Sequence, residues 1–460
     1  MKYIDKVALE VVKLFYNRSM IEMNKKKIKK NNKKGTIKNN IKLLINKYKS
    51  SSKKAKIAIT SSFVAFILLL IFIIFYNVNI NLKANANINV SPDSKFDDVN
   101  LYKCVVKQYY KNKTPDYTHV FKTTELESLT TLTCNSSNVT STKGIELMKN
   151  LQYLDLQNNN ITSLSVVTNT KLIQLNASNN NLTSIAIHKN PKLVNLYLTN
   201  NNLVDIQLYD QITSLQRVYL SNNSLTNINE TIKNLSNLKI LYVDHNNLTD
   251  LSVVNNLALE TLIASKNQLT SIDLHNNGSL KHINFNNNKL ISIKMRNGVK
   301  NLEEIHLKNN QLTSIDLNIQ TNLKTLDLSG NSLSSINLDN NRKLETLYLG
   351  MDTDSENYGN DITELSVVNN PYLKYLNAPN NKITDIRIHS NNYLEYVNLN
   401  NNELTSARFD TQVDNLKELY LMNNKLTSID VEDATELTIL KLFNNLLPSV
   451  DLSKNTKLTY

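Results

Sequence analysis

From residue 151 onward one apolar pattern recurs, LxxLxL, starting at Leu151, Leu172, Leu193, Leu215, Leu238, Leu259, Leu280, Leu302, Leu323, Leu344, Leu373, Leu394, Leu416 and Leu437. These 14 starts lie 21 to 23 residues apart, with one interval of 29, and the consensus reads LxxLxLxxNxLTSIDLxxNxx. Side chains alternate along a strand, so places four and six of LxxLxL point inward and places three and five outward. Each unit therefore predicts one short strand. No unit can bury its own apolar side, so the units must stack, each resting on its neighbours. At ~4.8 Å per strand the stack predicts a parallel sheet on the order of 65 Å long. A turn of about 21 residues leaves little room for a full helix opposite the strand, which predicts 3₁₀ turns or extended LTSIDL segments there.

Polar places repeat as regularly. Asn holds the ninth place in Asn159, Asn180, Asn201, Asn223, Asn246, Asn267, Asn288, Asn310, Asn331, Asn360, Asn381, Asn402, Asn424 and Asn445. Its amide both donates and accepts, so it can close backbone groups where the chain leaves each strand. The second place alternates in sign through Lys239, Glu260, Lys281, Glu303, Lys324, Glu345, Lys374, Glu395 and Lys417. Opposite charges on adjacent strands attract, which predicts a cross-strand ladder; duplication of an ancestral pair of repeats accounts for the same alternation.

A different apolar pattern occupies residues 57–76, IAITSSFVAFILLLIFIIFY, which is uncharged and long enough as a helix to span a ~30 Å hydrocarbon core. Basic residues crowd its upstream side, which places the amino terminus in the cytoplasm and everything after residue 76 outside. Cleavage near Ala86, followed by secretion, is the competing outcome. The formal charge of +12 belongs to the tail: residues 1–56 hold 18 Lys and Arg against 3 acids, and the remainder 34 against 37. A slightly acidic body excludes a polyanion-binding surface, and no nucleic-acid partner is expected. The predicted order is a basic tail 1–56, a signal-anchor helix 57–76, a linker 77–95, a cap and opening repeat 96–150, the array 151–457 and the start of an incomplete repeat at 458–460.

The stretch FDDVNLYKCVVKQYY from Phe96, then ELESLTTLTCNSSNVTSTKGIELMKNLQYLDLQNNNIT from Glu125, resembles the helical cap and first repeats of bacterial internalin-like surface proteins. The array motif is that of leucine-rich repeats, and the likeness covers about residues 96–457. It implies a curved α/β-type superhelix with a parallel β-sheet on the concave face, a 3₁₀ or extended convex side and a helical amino-terminal cap. It also implies a concave face that recognises another protein and brings no catalytic residues. The chain departs in lacking an LPxTG-type sorting signal and a domain after the array, which argues against cell-wall attachment of that kind. Cys104 falls on the predicted cap helix and Cys134 at the sixth place of LTTLTC, so a bridge between them would staple cap to array; two buried thiols are the other outcome. After Leu458 no polar closing element is visible, so the last edge is expected to be covered by a partner, by self-association with a second copy, or by more chain in a longer gene product.

Outward places collect Tyr into two groups, Tyr153, Tyr197, Tyr219 and Tyr242, then Tyr348, Tyr375, Tyr396 and Tyr420. Tyr combines large contact area with a polar tip, so these are the candidate partner contacts; Tyr is also simply a good strand residue. The tenth unit carries an insertion, GMDTDSENYGNDI, whose Asp352, Asp354 and Glu356 suggest a calcium loop. Its glycine falls at Gly359 and Thr363 stands at the twelfth place, where a bidentate Glu is required, so a plain or recognition loop is the better expectation. His282 and His306 near Glu304 lack a third ligand at a defined spacing, so neither metal nor cofactor is expected. There is no P-loop, nucleophile elbow or HExxH. These readings converge on a non-enzymatic adhesion or recognition module whose partner is another protein, or a glycan, outside the cell. A structural envelope or spacer protein is the alternative.

Overall fold

A computed structural model of the chain describes residues 91–209, 212–296, 298–352, 357–409 and 413–459. The predicted basic tail 1–56, membrane helix 57–76 and most of linker 77–95 lie outside the described residues. Among the described residues no helix is long and apolar enough to cross a membrane.

Helix α1, Val99–Tyr110, buries Leu101, Tyr102, Cys104, Val105 and Val106, the spacing of one helix face. Asp98 begins it. One carboxylate oxygen accepts Asn100 N and Leu101 N at 2.8 and 3.1 Å, filling orphan donors of the first turn. The other accepts Thr140 N at 2.7 Å, Thr140 Oγ1 at 2.8 Å and Ser141 N at 3.3 Å, which ties the helix to the loop beyond the first strand. Burial alone would raise the Asp98 pKa, but the hydrogen bonds from Thr140, Leu101 and Ser141 outweigh it and hold the carboxyl below its ordinary value. Phe96, Tyr102 and Phe121 fill the cap, with ring centroids 5.9, 6.1 and 6.3 Å apart. A short helix α2, Thr123–Glu127, leads into the first strand, Thr131–Thr133. Cys104 and Cys134 form a disulfide with Cα atoms 5.4 Å apart, joining α1 to the end of that strand.

One parallel sheet of 15 strands follows chain order, from Thr131–Thr133 to Ile439–Lys441. Leu154 pairs with Leu175, Leu196 with Val218 and Leu241 with Leu262, so the inward places lie in register along the stack. Leu238, Leu241 and Val243 are fully buried, whereas Ile240 and Tyr242 between them are half-exposed. Each buried Leu is worth roughly 1.5–3 kcal/mol, and every turn supplies several. Opposite the sheet the chain is largely extended, and four parallel ribbons form there, for example Ser184–Ile187 beside Asp205–Leu208 and Ser271–Asp273 beside Ser292–Lys294. A 3₁₀ turn, Ile145–Leu147, and a one-turn helix, Asn229–Ile232, are the exceptions. Among the described residues the last strand is paired on one side; Leu440 and Leu442 are only half-buried there, and Phe443 and Leu446 are exposed.

Asparagine clamps the turns together. Asn267 Nδ2 donates to Val243 O of the preceding turn at 2.9 Å and to Ala264 O of its own at 3.1 Å, while its Oδ1 accepts Leu248 N at 2.9 Å. Asn180, Asn288 and Asn402 repeat this arrangement. The residue before the clamp serves a different need, since in 13 of the 14 units it adopts positive φ, between 52° and 68°, and Asn fills ten of those places. Among residues with a Cβ, Asn enters the left-handed region most readily, which explains why Asn comes in pairs.

A second spine lies three places before each leading Leu. Asn277 Nδ2 donates to Val253 O at 2.9 Å and Asn256 O at 3.0 Å, and Asn169, Asn190, Asn256, Asn341, Asn370, Asn391 and Asn455 act alike. This spine is broken by buried apolar residues at Ile212, Leu235, Val299, Val413 and Ala434. Asn267→Ala is therefore expected to lower stability by about 1–3 kcal/mol, read as a lower urea midpoint, and Asn277→Val by less. Replacing both Cys104 and Cys134 with Ser should cost about 3–4 kcal/mol for a loop of this length, seen as a lower melting temperature.

Candidate binding surface

On the open face of the long sheet, cross-strand spacing turns the outward tyrosines into two stacks. Tyr197, Tyr219 and Tyr242 share the fifth place and lie in register on adjacent strands. Their ring centroids are 4.9 and 5.0 Å apart, close to the strand spacing of ~4.8 Å, with interplanar angles of 13° and 33°. Burial raises the Tyr219 pKa. Tyr153 does not join them: it pairs with Thr131 and Gln174, is 42 % exposed, and makes no ring contact among the described residues.

The later stack mixes places. Tyr375 and Tyr396 sit at the third place, in register, with centroids 4.2 Å apart and planes within 4°. Tyr348 and Tyr420 sit at the fifth place and meet them diagonally at 5.2 and 5.4 Å. Burial raises the pKa of Tyr375 and Tyr396; burial and the bond to Glu418 Oε2, 2.8 Å, push Tyr420 up to about 12.

Between the stacks the face is polar. Glu304 Oε2 lies 3.3 Å from His282 Nδ1 and 4.0 Å from His306 Nε2. Among the described residues no group of three His, Cys, Asp or Glu side chains could hold a metal ion. Asp327, paired with His306 on one side and Tyr348 on the other, is only 8 % exposed. Burial pushes its carboxyl up against the opposing pull of the Ser329 N–H, 3.0 Å away, and of His306 and Lys308.

The alternating charges at the second place resolve into short groups rather than one continuous ladder. Glu260 lies between Lys239 and Lys281 at 3.5 and 3.8 Å, and Lys324–Glu303, Lys374–Glu345 and Lys417–Glu395 pair at 2.7, 2.7 and 2.8 Å. These pairs are exposed and screened by solvent, so register is set by the buried leucines.

The insertion in the tenth unit forms an antiparallel hairpin, Met351–Asp352 with Asn357–Tyr358, at the strand-exit rim beside Tyr348; residues 353–356 lie outside the described residues. Gly330 N donates to Gly359 O at 3.0 Å, and Asn377 Nδ2 and Asn380 Nδ2 to Gly350 O and Met351 O at 3.1 and 3.0 Å. A Cβ on Gly350 would lie 1.9 Å from Pro379 O, and one on Gly359 1.6 Å from Asn380 O, so both hairpin feet require glycine.

Sequence places the chain in the same class as this geometry. The Leucine Rich Repeat family model matches residues 150–168, 214–235 and 322–344. No curated protein matches the chain. Among solved structures, the functional domain of InlJ from Listeria monocytogenes, which includes a cysteine ladder, is 25 % identical, covers 78 % of this chain and 72 % of its own, and has a TM-score of 0.60. The internalin InlF from Listeria monocytogenes is 24 % identical over 81 % of this chain and 97 % of its own, with a TM-score of 0.57. A leucine-rich-repeat protein of Leptospira interrogans is 21 % identical over 80 % and 98 %, with a TM-score of 0.59. The chain is thus a leucine-rich-repeat protein. Within that class it is internalin-like, with ladders of asparagine and a single disulfide.

Asp327 makes stability depend on pH in a defined direction. A folded-state pKa above the ordinary 3.8 favours folding only at low pH, and that contribution is lost as pH rises through the folded value. Asp327→Asn keeps an acceptor for Ser329, so it should melt higher than the parent at neutral pH, with the advantage gone below about pH 3.8.

Proposed function

We propose that this chain is a non-enzymatic recognition module that binds another protein on the open face of its sheet, outside the cell. One apolar helix over residues 57–76 holds it in the membrane with the amino terminus inside. Leucine-rich-repeat proteins are generally protein-binding modules. The apolar run and the basic residues upstream of it support the anchor, and a disulfide suits an oxidising compartment.

The observation that carries the reading is the pair of tyrosine stacks. Their rings stand half-buried on the sheet outside the leucine core, and Tyr is among the side chains enriched at interface hot spots. A second reading, a spacer whose tyrosines only stabilise stacking, draws on the same contacts, since rings 4.2 Å apart also strengthen a sheet.

Adhesion separates the two. Cells displaying the full chain should attach to partner cells, and Tyr219→Ala with Tyr242→Ala should reduce attachment at least about tenfold while the circular dichroism stays unchanged. Equal attachment by the variant favours the spacer.

A further inference from the structure

In the cap, charge is separated in a way that its sum conceals. Residues 91–128 hold six lysines and six acidic residues, so the total is zero. Five of the acids are used by the fold. Asp93 pairs with Lys95 and accepts Phe121 N, Asp98 caps α1, and Glu125 accepts Lys122 N at 2.7 Å and the Tyr109 hydroxyl at 2.9 Å. Asp97 and Glu127 are neutralised from beyond the cap by Lys143 and Lys149, at 2.7 and 2.8 Å. The lysines of α1 are left over: among the described residues no carboxylate lies within ion-pair distance of Lys103, Lys107 or Lys111.

These three are exposed, and the helical repeat sets them within about 80° of one another, turned away from the buried Leu101 and Val105. A cation near a helix C-terminus suits the dipole, which accounts for Lys107 and Lys111, but Lys103 stands in the second turn. Tyr110, three places after Lys107 and so its neighbour on the helix surface, meets the loop that follows, its hydroxyl 3.3 Å from His119 Nδ1. That loop exposes Lys113, Tyr117 and Val120, the last at 61 %, and holds Asp116 as its single carboxylate. Four lysines against one acid, bordered by an aromatic and an apolar side chain, make up the outer side of the cap.

We propose that this side of the cap docks on the headgroups of a bilayer leaflet that carries acidic lipids. The proposal rests on the membrane anchor proposed above and deepens it. Fourteen residues, 77–90, separate the apolar run from the first described residue, and fully extended they reach at most about 50 Å. An acidic protein would match the charge equally. What favours lipid is this tether, which holds a leaflet at high effective concentration beside the cap with no other contact needed. Lysine ammonium groups on flexible stems meet phosphates without a fixed geometry, and tyrosine settles at the headgroup level. Because Cys104–Cys134 and the bond from Thr140 N to Asp98 join α1 to the first turns, docking sets the direction in which the array leaves the membrane. The open sheet face is thereby turned to a defined side.

Thr114 is exposed and both cysteines are bridged, so Thr114→Cys supplies a single reactive thiol. The full chain carrying it is reconstituted in vesicles and labelled from outside with an impermeant dye whose emission moves to the blue in less polar surroundings. Vesicles of phosphatidylcholine are compared with vesicles in which about a third of the lipid is phosphatidylglycerol. The emission should shift in the acidic vesicles alone, and the shift should be lost in about 0.5 M salt. Lys103→Gln, Lys107→Gln and Lys111→Gln together should abolish it with an unchanged melting temperature, whereas Lys103→Arg, Lys107→Arg and Lys111→Arg should keep it. Equal emission in both vesicles, or a shift that survives loss of the three charges, overturns the cap contact and leaves the anchor standing. Soluble polyphosphate that produces the shift in neutral vesicles where acidic lipid does not assigns the row to a free polyanion and likewise overturns it. An alkaline wash reads the anchor separately: a chain released by it has no anchor, and the lipid occupant falls with it.

Discussion

Every turn of this solenoid must leave its strand and bend back within the interior, where backbone N–H and C=O groups lose their water and need other partners. The structure depends on how that demand is met. An amide carries two N–H donors and a separate carbonyl acceptor on one short side chain, and at the ninth place it lies where two successive turns can both reach it. Asn267 clamps Val243, Ala264 and Leu248 together, and the same clamp recurs from turn to turn. An aspartate or a leucine there could not satisfy both kinds of group. The asparagine richness of the chain follows from this geometry, together with the left-handed residue that precedes nearly every clamp.

With the bends closed, the leucines can form an uninterrupted spine and the sheet becomes a straightforward consequence of stacking. Nearest-neighbour stability also explains why a hairpin can be inserted in one unit without disturbing the next: only the local backbone must adjust, and Gly350 and Gly359 allow it to pass close to Pro379 and Asn380. Function inherits this rigidity. Rings held at strand spacing lose little freedom when a partner arrives, so an outward tyrosine on such a sheet keeps more of its contact energy than one on a mobile loop.

The strand pattern was legible because a period of two is simple: LxxLxL placed the inward leucines and the outward tyrosines on their correct faces. Stacking partners were less so. Tyr153 precedes Tyr197 as the nearest outward tyrosine in sequence, yet a whole strand separates them. The later stack crosses between the third and fifth places, which only lateral packing reveals. Charge alternation promised a ladder, but side-chain reach joined most lysines to one neighbouring glutamate. The second asparagine spine was visible as an Asn in the consensus, and its role depended on which carbonyls curl towards it in three dimensions.

Native-state hydrogen exchange tests the asparagine clamp most directly. The backbone N–H groups of Leu182, Leu248 and Leu269 donate to side-chain amides rather than to strand partners, at 3.0, 2.9 and 3.0 Å. If the clamps hold the turns together, these amides should be protected as strongly as the strand amides of Leu196 and Leu262. Exchange at the rate of the exposed loops would contradict the account.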